Sequence, residues 1–389
     1  MNNQQRVLSI LHNQPCDRIP VVHFGYWRET LAKWAAQGHI AQIDAENWRD
    51  SNAADYRIST SLGFDFNWSI NFNPGTNLQP AFPIETIATF ADGSMHQRNN
   101  LGVTELVKPG LRSIPAEIEH LLKDRASWEE HYRWRMQWNP ERITRAAVPD
   151  GNGDRLPLAQ GGLEYSQSEN RTQPLGLFCG SLLGILRNII GLVGMSYMMV
   201  DDEDLFTEII ETNAELCYQN VKAALETGAK FDFAHFWEDI CGANGPLISP
   251  AMFREKFGPH YRRITDLLKA HGVDIVSVDC DGKIDLLIPV WLENGVNTMF
   301  PIEVGAWNAS FAPWRRQYGE AIRGVGGVDK RVFCKDRAAI DKEIDRLLPM
   351  IEMGGYIPCI DHRLPPESEW DLVSYYCDQA RQRFVMHHA

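Results

Sequence analysis

Five short apolar runs in the second half of the chain, each followed by a helix-forming stretch, constrain its fold more than any other feature. The runs are FDFAHFWED, VDIVSVDCDG, VNTMFPIE, AIRGVGGVDK and GGYIPCIDH. Helical patterns follow them near Ala251 to Ala270, Leu286 to Asn294, Phe311 to Tyr318, Arg337 to Met353 and Glu367 to Phe384. Ser249-Pro250 supplies an N-cap and a first-turn proline for the first of these. Continuous rather than alternating apolar runs indicate strands buried on both faces, hence a parallel sheet covered by helices. Glycine before several runs (HGVDIV, NGVNTM, MGGYIP) suits a helix that closes in the left-handed conformation and enters the sheet. A (β/α)₈ TIM barrel is the expected fold. A doubly wound sheet is the rival, but no GxGxxG or GxxxxGK[ST] phosphate loop occurs.

The first 160 residues are less regular. PVVHFGYW reads as a possible first barrel strand, and Asn71 to Pro83 reads as loop. FPIETIATFADGSMHQRNNLGVTELV reads as a hairpin turning at Asp92-Gly93, and His120 to Trp138 as a charged helix. NPERITRAAVPDGNGDRLPLAQGG is a second break. Asp201 to Glu226 has clear helical periodicity. The expected organisation is one barrel unit over 1–389, with irregular N-terminal and inserted segments within 1–160.

Each apolar run ends in polar groups: His235, Glu238 and Asp239; Asp279, Cys280 and Asp281; Glu303; Asp329, Lys330 and Arg331; Asp361, His362 and Arg363. In a barrel such ends open on one face, where catalytic groups gather. The candidate metal ligands are Asp281, Glu303, His362 and Glu238, with His235 and Cys280 in the wider pool, and zinc or another divalent ion as the cofactor. Alternation along VSVDCD puts Cys280 on the opposite side of its strand from Asp279 and Asp281, so Cys280 ranks lower. Asp281, Glu238, His235 and His362 are the candidate catalytic groups. His23, Trp27, Arg28, Trp237, Asp279 and Trp307 are the candidate substrate contacts. Bland readings stand beside these: a carboxylate network neutralised by Arg331 or Arg363, and a hydrogen-bonded core histidine at 235.

Charge and cysteine usage narrow the function classes. The formal net charge of -13 opposes binding to a phosphate backbone, and no Lys/Arg-dense face interleaved with aromatics occurs. Eight scattered cysteines without a CxxC pair fit a reducing compartment. The start, MNNQQRVLSILHNQPCDRIP, lacks a basic head with an apolar core, and no stretch approaches a membrane span. A cytoplasmic protein without nucleic-acid or membrane partners is expected.

Several motifs together resemble the uroporphyrinogen decarboxylase superfamily: NQPCDRIPV, HFWEDICGANGPLISPAMFREKFGPHYRRI, VDCDGKIDLLIPVWLENGVNTMFPIE, YGEAIRGVGGVDKR and GGYIPCIDHRLPPE. The likeness covers about residues 200–380 and the short N-terminal motif, and it implies a (β/α)₈ barrel and a homodimer. Decarboxylases of that superfamily use an N-terminal arginine cluster and a following aspartate. Here HFGYWRETLAKW keeps only Arg28, and Asp65 falls where the aspartate stands. The methyltransferase branch holds zinc through His-x-Cys and a later Cys. Those positions fall here on Asp279, Asp281 and His362, an oxygen and nitrogen set suited to a harder metal. The reading so reached is an enzyme demethylating an aryl methyl ether or methylamine, with transfer to a separate corrinoid protein and no tightly bound organic cofactor. A decarboxylase or lyase of a small carboxylated substrate is the alternative, and a non-catalytic binding protein a third.

Overall fold

The computed structural model describes residues 1–108 and 115–385. Nine parallel strands form the central sheet: β1 (Val22–His23), β2 (Phe66–Asn67), β3 (Asn71–Phe72), β4 (Gly176–Gly180), β5 (Phe233–Trp237), β6 (Val276–Asp279), β7 (Thr298–Phe300), β8 (Arg323–Val328) and β9 (Tyr356–Ile360). Their spatial order is β2-β1-β9-β8-β7-β6-β5-β4-β3. The two ends of that order, β2 and β3, are separated in the chain only by Trp68 to Ile70. The ribbon therefore curls back on itself into a distorted, half-open (β/α)₈ barrel whose second strand position is broken in two.

The five expected strands and the first one appear where the apolar runs lie. Their register sets the mouth: His235 sits opposite Ser277, Trp237 opposite Asp279, and Asp279 opposite Phe300. Glu203–Glu226, Arg337–Glu352 and Trp370–Arg383 are long covering helices. The helix expected over 251–270 is two, Pro250–Lys256 and Gly258–Ala270, because Pro259 has no N–H to continue the ladder.

Two expectations in the first part are corrected. Asn71 and Phe72 are barrel strand, not loop: Asn71 pairs with Gly176 and Phe72 with Leu177. The helix expected over 120–138 is shorter: Arg125–Ser127 runs directly into the π-helical segment Trp128–Tyr132, while His120 ends a strand. Tertiary contacts anchor this short helix: buried Trp128 donates to Glu208, and buried Tyr132 donates to the Leu101 carbonyl (both 3.0 Å). The hairpin at Asp92-Gly93 is present and belongs to a four-stranded antiparallel sheet spanning Glu85–Thr89, Met95–Arg98, Val103–Val107 and Ala116–His120. Asp92 stabilises the turn by accepting from the Ser94 N–H, and Gly93 takes φ +80°. No helix among the described residues is long and apolar enough to cross a membrane.

Candidate active site

The C-terminal strand ends enclose a cavity of about 590 Å³. β5 contributes His235 and Trp237 and, just beyond its end, Asp239. β6 contributes Asp279 and the following Asp281. The segment after β9 contributes His362 and Arg363, and that after β1 contributes Phe24 and Trp27. Ser69, Asn71, Asn73, Arg155 and Phe178 complete the wall.

Three carboxylates dominate the chemistry. Asp239, Asp279 and Asp281 each offer an oxygen, all within 4.8 Å of one another. Asp239 takes a positive φ (+47°) at the strand end, which lets its carboxylate accept the Asp281 N–H (3.1 Å). Asp279 is only 7% exposed, and its carboxylate makes no hydrogen bond among the described residues. Burial, then the charges of Asp239 and Asp281, push Asp279 well above the ordinary aspartate range. Burial and Asp281 likewise raise Asp239 to about 6. Like charges gathered in a dry place favour a retained proton or a bound cation.

The histidines differ in character. His235 is buried, bonded through Nδ1 to Ser277 (3.2 Å), and burial lowers it to about 3, so its imidazole is neutral. His362 approaches Asp281 through Nε2 (3.3 Å) and stacks on Trp27, centroids 5.7 Å apart. His362 Nδ1 and Asp281 Oδ1 are buried atoms without a hydrogen-bond partner. The three clustered carboxylates, with Asp281 Oδ1 unpartnered among them, fit a divalent cation held by oxygen donors, and His362 reaches the cluster's edge through Nε2.

Two arginines bring positive charge to the same cavity. Arg363 is clamped by Asp50 (3.2 and 2.7 Å). Arg155 donates to the Asp50 carbonyl (3.2 Å) and forms no ion pair among the described residues.

Six of the sequence-derived residues therefore meet here: Asp281, His235, His362, Trp27, Trp237 and Asp279. Five lie elsewhere. Glu238 is fully buried and accepts the N–H groups of Leu182, Leu183 and Gly184 (2.8–2.9 Å) and the hydroxyls of Ser181 and Tyr261. It caps the turn leading into the helix Gly184–Ile190, with no oxygen left for a metal. Glu303 is held by Trp307 Nε1 and faces Lys330 (3.4 Å), so this Glu–Trp pair supports the loop after β7. His23 points away from the cavity: Nε2 meets Ser59 (2.9 Å) and Nδ1 accepts the Gly25 N–H. Arg28 opens the helix Arg28–Ala36 and reaches the Glu46 carbonyl (3.4 Å). Asp65, in the position of the decarboxylase aspartate, is ion-paired to Arg18 and Arg381 outside this cavity.

Asp239 stood among the strand-end polar groups but not among the candidate ligands or catalytic groups, although a signal for it was available. His235, Trp237 and Asp239 alternate as Asp279 and Asp281 do, so the period of two selects Asp239 and rejects Glu238. Asn71, Asn73 and Arg155 come from irregular segments and had no comparable signature.

Comparison with known proteins gives this barrel its family. The sequence model of uroporphyrinogen decarboxylase (URO-D) matches residues 133–383. The chain belongs to the URO-D family. Two uroporphyrinogen decarboxylases from strains of Thermus thermophilus are each 26% identical to it over 181 residues, 46% of this chain and 49% of theirs. The chain spans about half the length of these curated relatives in that match. A methyltransferase from Methanosarcina mazei shares the fold, with a TM-score of 0.60, 13% identity and 99% of each chain covered.

Proposed function

We propose that this URO-D family member is a decarboxylase acting on a small carboxylated substrate, with Asp279 as its proton donor. The observation that carries the reading is the buried, unpartnered Asp279 carboxyl, pushed toward its neutral form by burial and by two neighbouring aspartates. Loss of CO₂ leaves the electron pair of the broken C–C bond on the substrate carbon. That carbon then needs one proton, and a neutral carboxylic acid buried at the base of the cavity can deliver it. Asp279 gives its proton to the carbon and is reprotonated from water through Asp239 and Asp281. Arg155 and Arg363 supply positive charge for the substrate's carboxylates, while Trp27, Trp237 and Phe24 pack against its apolar part. A substrate of this kind carries its carboxyl group next to a ring or carbonyl that spreads the developing charge.

The reading takes residues 1–389 as one catalytic unit, since Phe24, Trp27 and Arg155 line the cavity together with residues of the regular second half. Its test is a panel of small carboxylated ring compounds, followed by CO₂ release and by deuterium uptake at the product carbon in D₂O. Asp279→Asn should lower turnover by about 10³-fold, within the range for a lost general acid. An Asp279→Asn variant that keeps its rate refutes the assignment.

A second reading rests on the carboxylate cluster with its unpartnered Asp281 Oδ1, and on His362 Nε2 at the cluster's edge. Asp239, Asp279 and Asp281, with His362 alongside, would hold a divalent ion. Such an ion polarises an ether oxygen or amine as a Lewis acid, the chemistry of demethylation with transfer to a separate corrinoid protein. About one equivalent of metal by elemental analysis, lost in Asp281→Ala, supports this reading over the first.

A further inference from the structure

Beside the acidic cavity lies a second chamber of about 200 Å³, and Phe178 and Trp237 line both. Its far wall comes from the irregular first part of the chain: Thr76 and Asn77 after β3, and Asn100 and Leu101 at a turn of the four-stranded sheet. The near wall includes Asn188 of the helix Gly184–Ile190. Among the described residues no charged side chain lines this chamber, in contrast to the aspartates and arginines next door.

Its polar lining divides in two: Ser181 and Asn213 are bonded within the protein, whereas the groups on the outer wall, where Asn77 and Asn100 are exposed, are free to bond a guest. Among the described residues, the Thr76 hydroxyl and the side-chain amides of Asn77 and Asn100 make no hydrogen bond to the protein. Asn188 Oδ1 accepts from Arg187 (2.8 Å), but its Nδ2 has no protein partner. Neutral donors and acceptors converging on one space match hydroxyl or amide groups. An ion there would find no counter-charge on the wall. The volume suits a group of about six water-sized atoms.

We propose that this chamber is a specificity subsite for a neutral, hydroxyl- or amide-bearing arm of the substrate, with Phe178 and Trp237 as the partition between that arm and the reacting end. The insertion that interrupts the first part of the chain thereby acquires a role: it supplies the wall that selects the arm. The inference rests on the cavity beside it being the reacting site, so the experiment probes the two spaces separately.

The protein is labelled with 5-fluorotryptophan, and the Trp237 resonance is assigned by its loss in Trp237→Phe. Erythritol is the neutral probe and malonate the anionic one. Erythritol should shift the Trp237 signal saturably. The Asn77→Leu/Asn188→Leu double variant should weaken that response about tenfold, as expected for two lost hydrogen bonds, while leaving the malonate response unchanged. Should the double variant fail to fold, Asn188→Asp carries the same test, its charge again weakening erythritol about tenfold. A non-saturating erythritol response, or one undiminished in these variants, overturns the subsite. Absence of any malonate response, with erythritol still bound, overturns the carboxylate reading of the main cavity and leaves the subsite standing.

Discussion

Glu238 and Asp239 are neighbours in the chain, yet the backbone turns one inward to hold the scaffold and the other outward to the cavity. The Glu238 carboxylate satisfies three backbone N–H groups that would otherwise be orphaned in the interior. Glu238→Ala should cost about 3 kcal/mol in urea unfolding, and a change near zero would contradict the capping role. Asp239 titrates at about 6 when folded, above the 3.8 of a free aspartate. The folded chain thus binds this proton more tightly than the unfolded chain. The stability it contributes is full below about pH 3.8 and is lost as pH rises through about 6. Asp239→Asn removes that term and relieves Asp279 as well. The wild-type Tm should therefore fall more between about pH 5 and pH 7 than that of the variant. Parallel pH profiles would show that the cluster is not electrostatically strained.

At the scale of elements, the barrel wall depends on close backbone approach where β8 passes the segment after β7. Gly326 has φ +130°, and a Cβ there would lie 1.5 Å from the Pro301 carbonyl oxygen. Gly326→Ala should destabilise the fold by about 3 kcal/mol or prevent it, read by thermal unfolding. A well-folded variant of unchanged Tm would mean that this wall tolerates a Cβ and is not closely packed. The regular βα units were legible because each strand is a continuous apolar run between glycine and polar residues. Within them, strand alternation correctly separated Cys280 from Asp279 and Asp281. The broken second strand was not legible: Asn71 and Phe72 sit among Asn and Pro residues, and their pairing with β4 is fixed only by contacts distant in sequence. In the 120–138 segment the charged pattern located a helix but not its bounds, which are set by the anchors of buried Trp128 and Tyr132. Glu303 and Trp307 sit at a strand end as expected, but they bond to each other. Periodicity cannot reveal such a pairing.

For the whole molecule, an acidic chain of net charge -13 concentrates three carboxylates and two arginines in one cavity built from both ends of the sequence. Barrel closure brings Phe24 and Trp27 to His362 and carries Arg155 to the same mouth. The barrel mouth thus gathers the titratable groups, and the irregular first part of the chain completes its wall. The functional proposal turns on whether Asp279 is a neutral acid at neutral pH. Infrared difference spectroscopy between wild type and Asp279→Asn at about pH 7 measures this without a substrate. A neutral carboxylic-acid carbonyl band in the wild-type protein as purified, absent from the variant, is the expected result. If the wild type has no such band until a chelator is added, Asp279 is a metal-bound carboxylate and the decarboxylase mechanism falls.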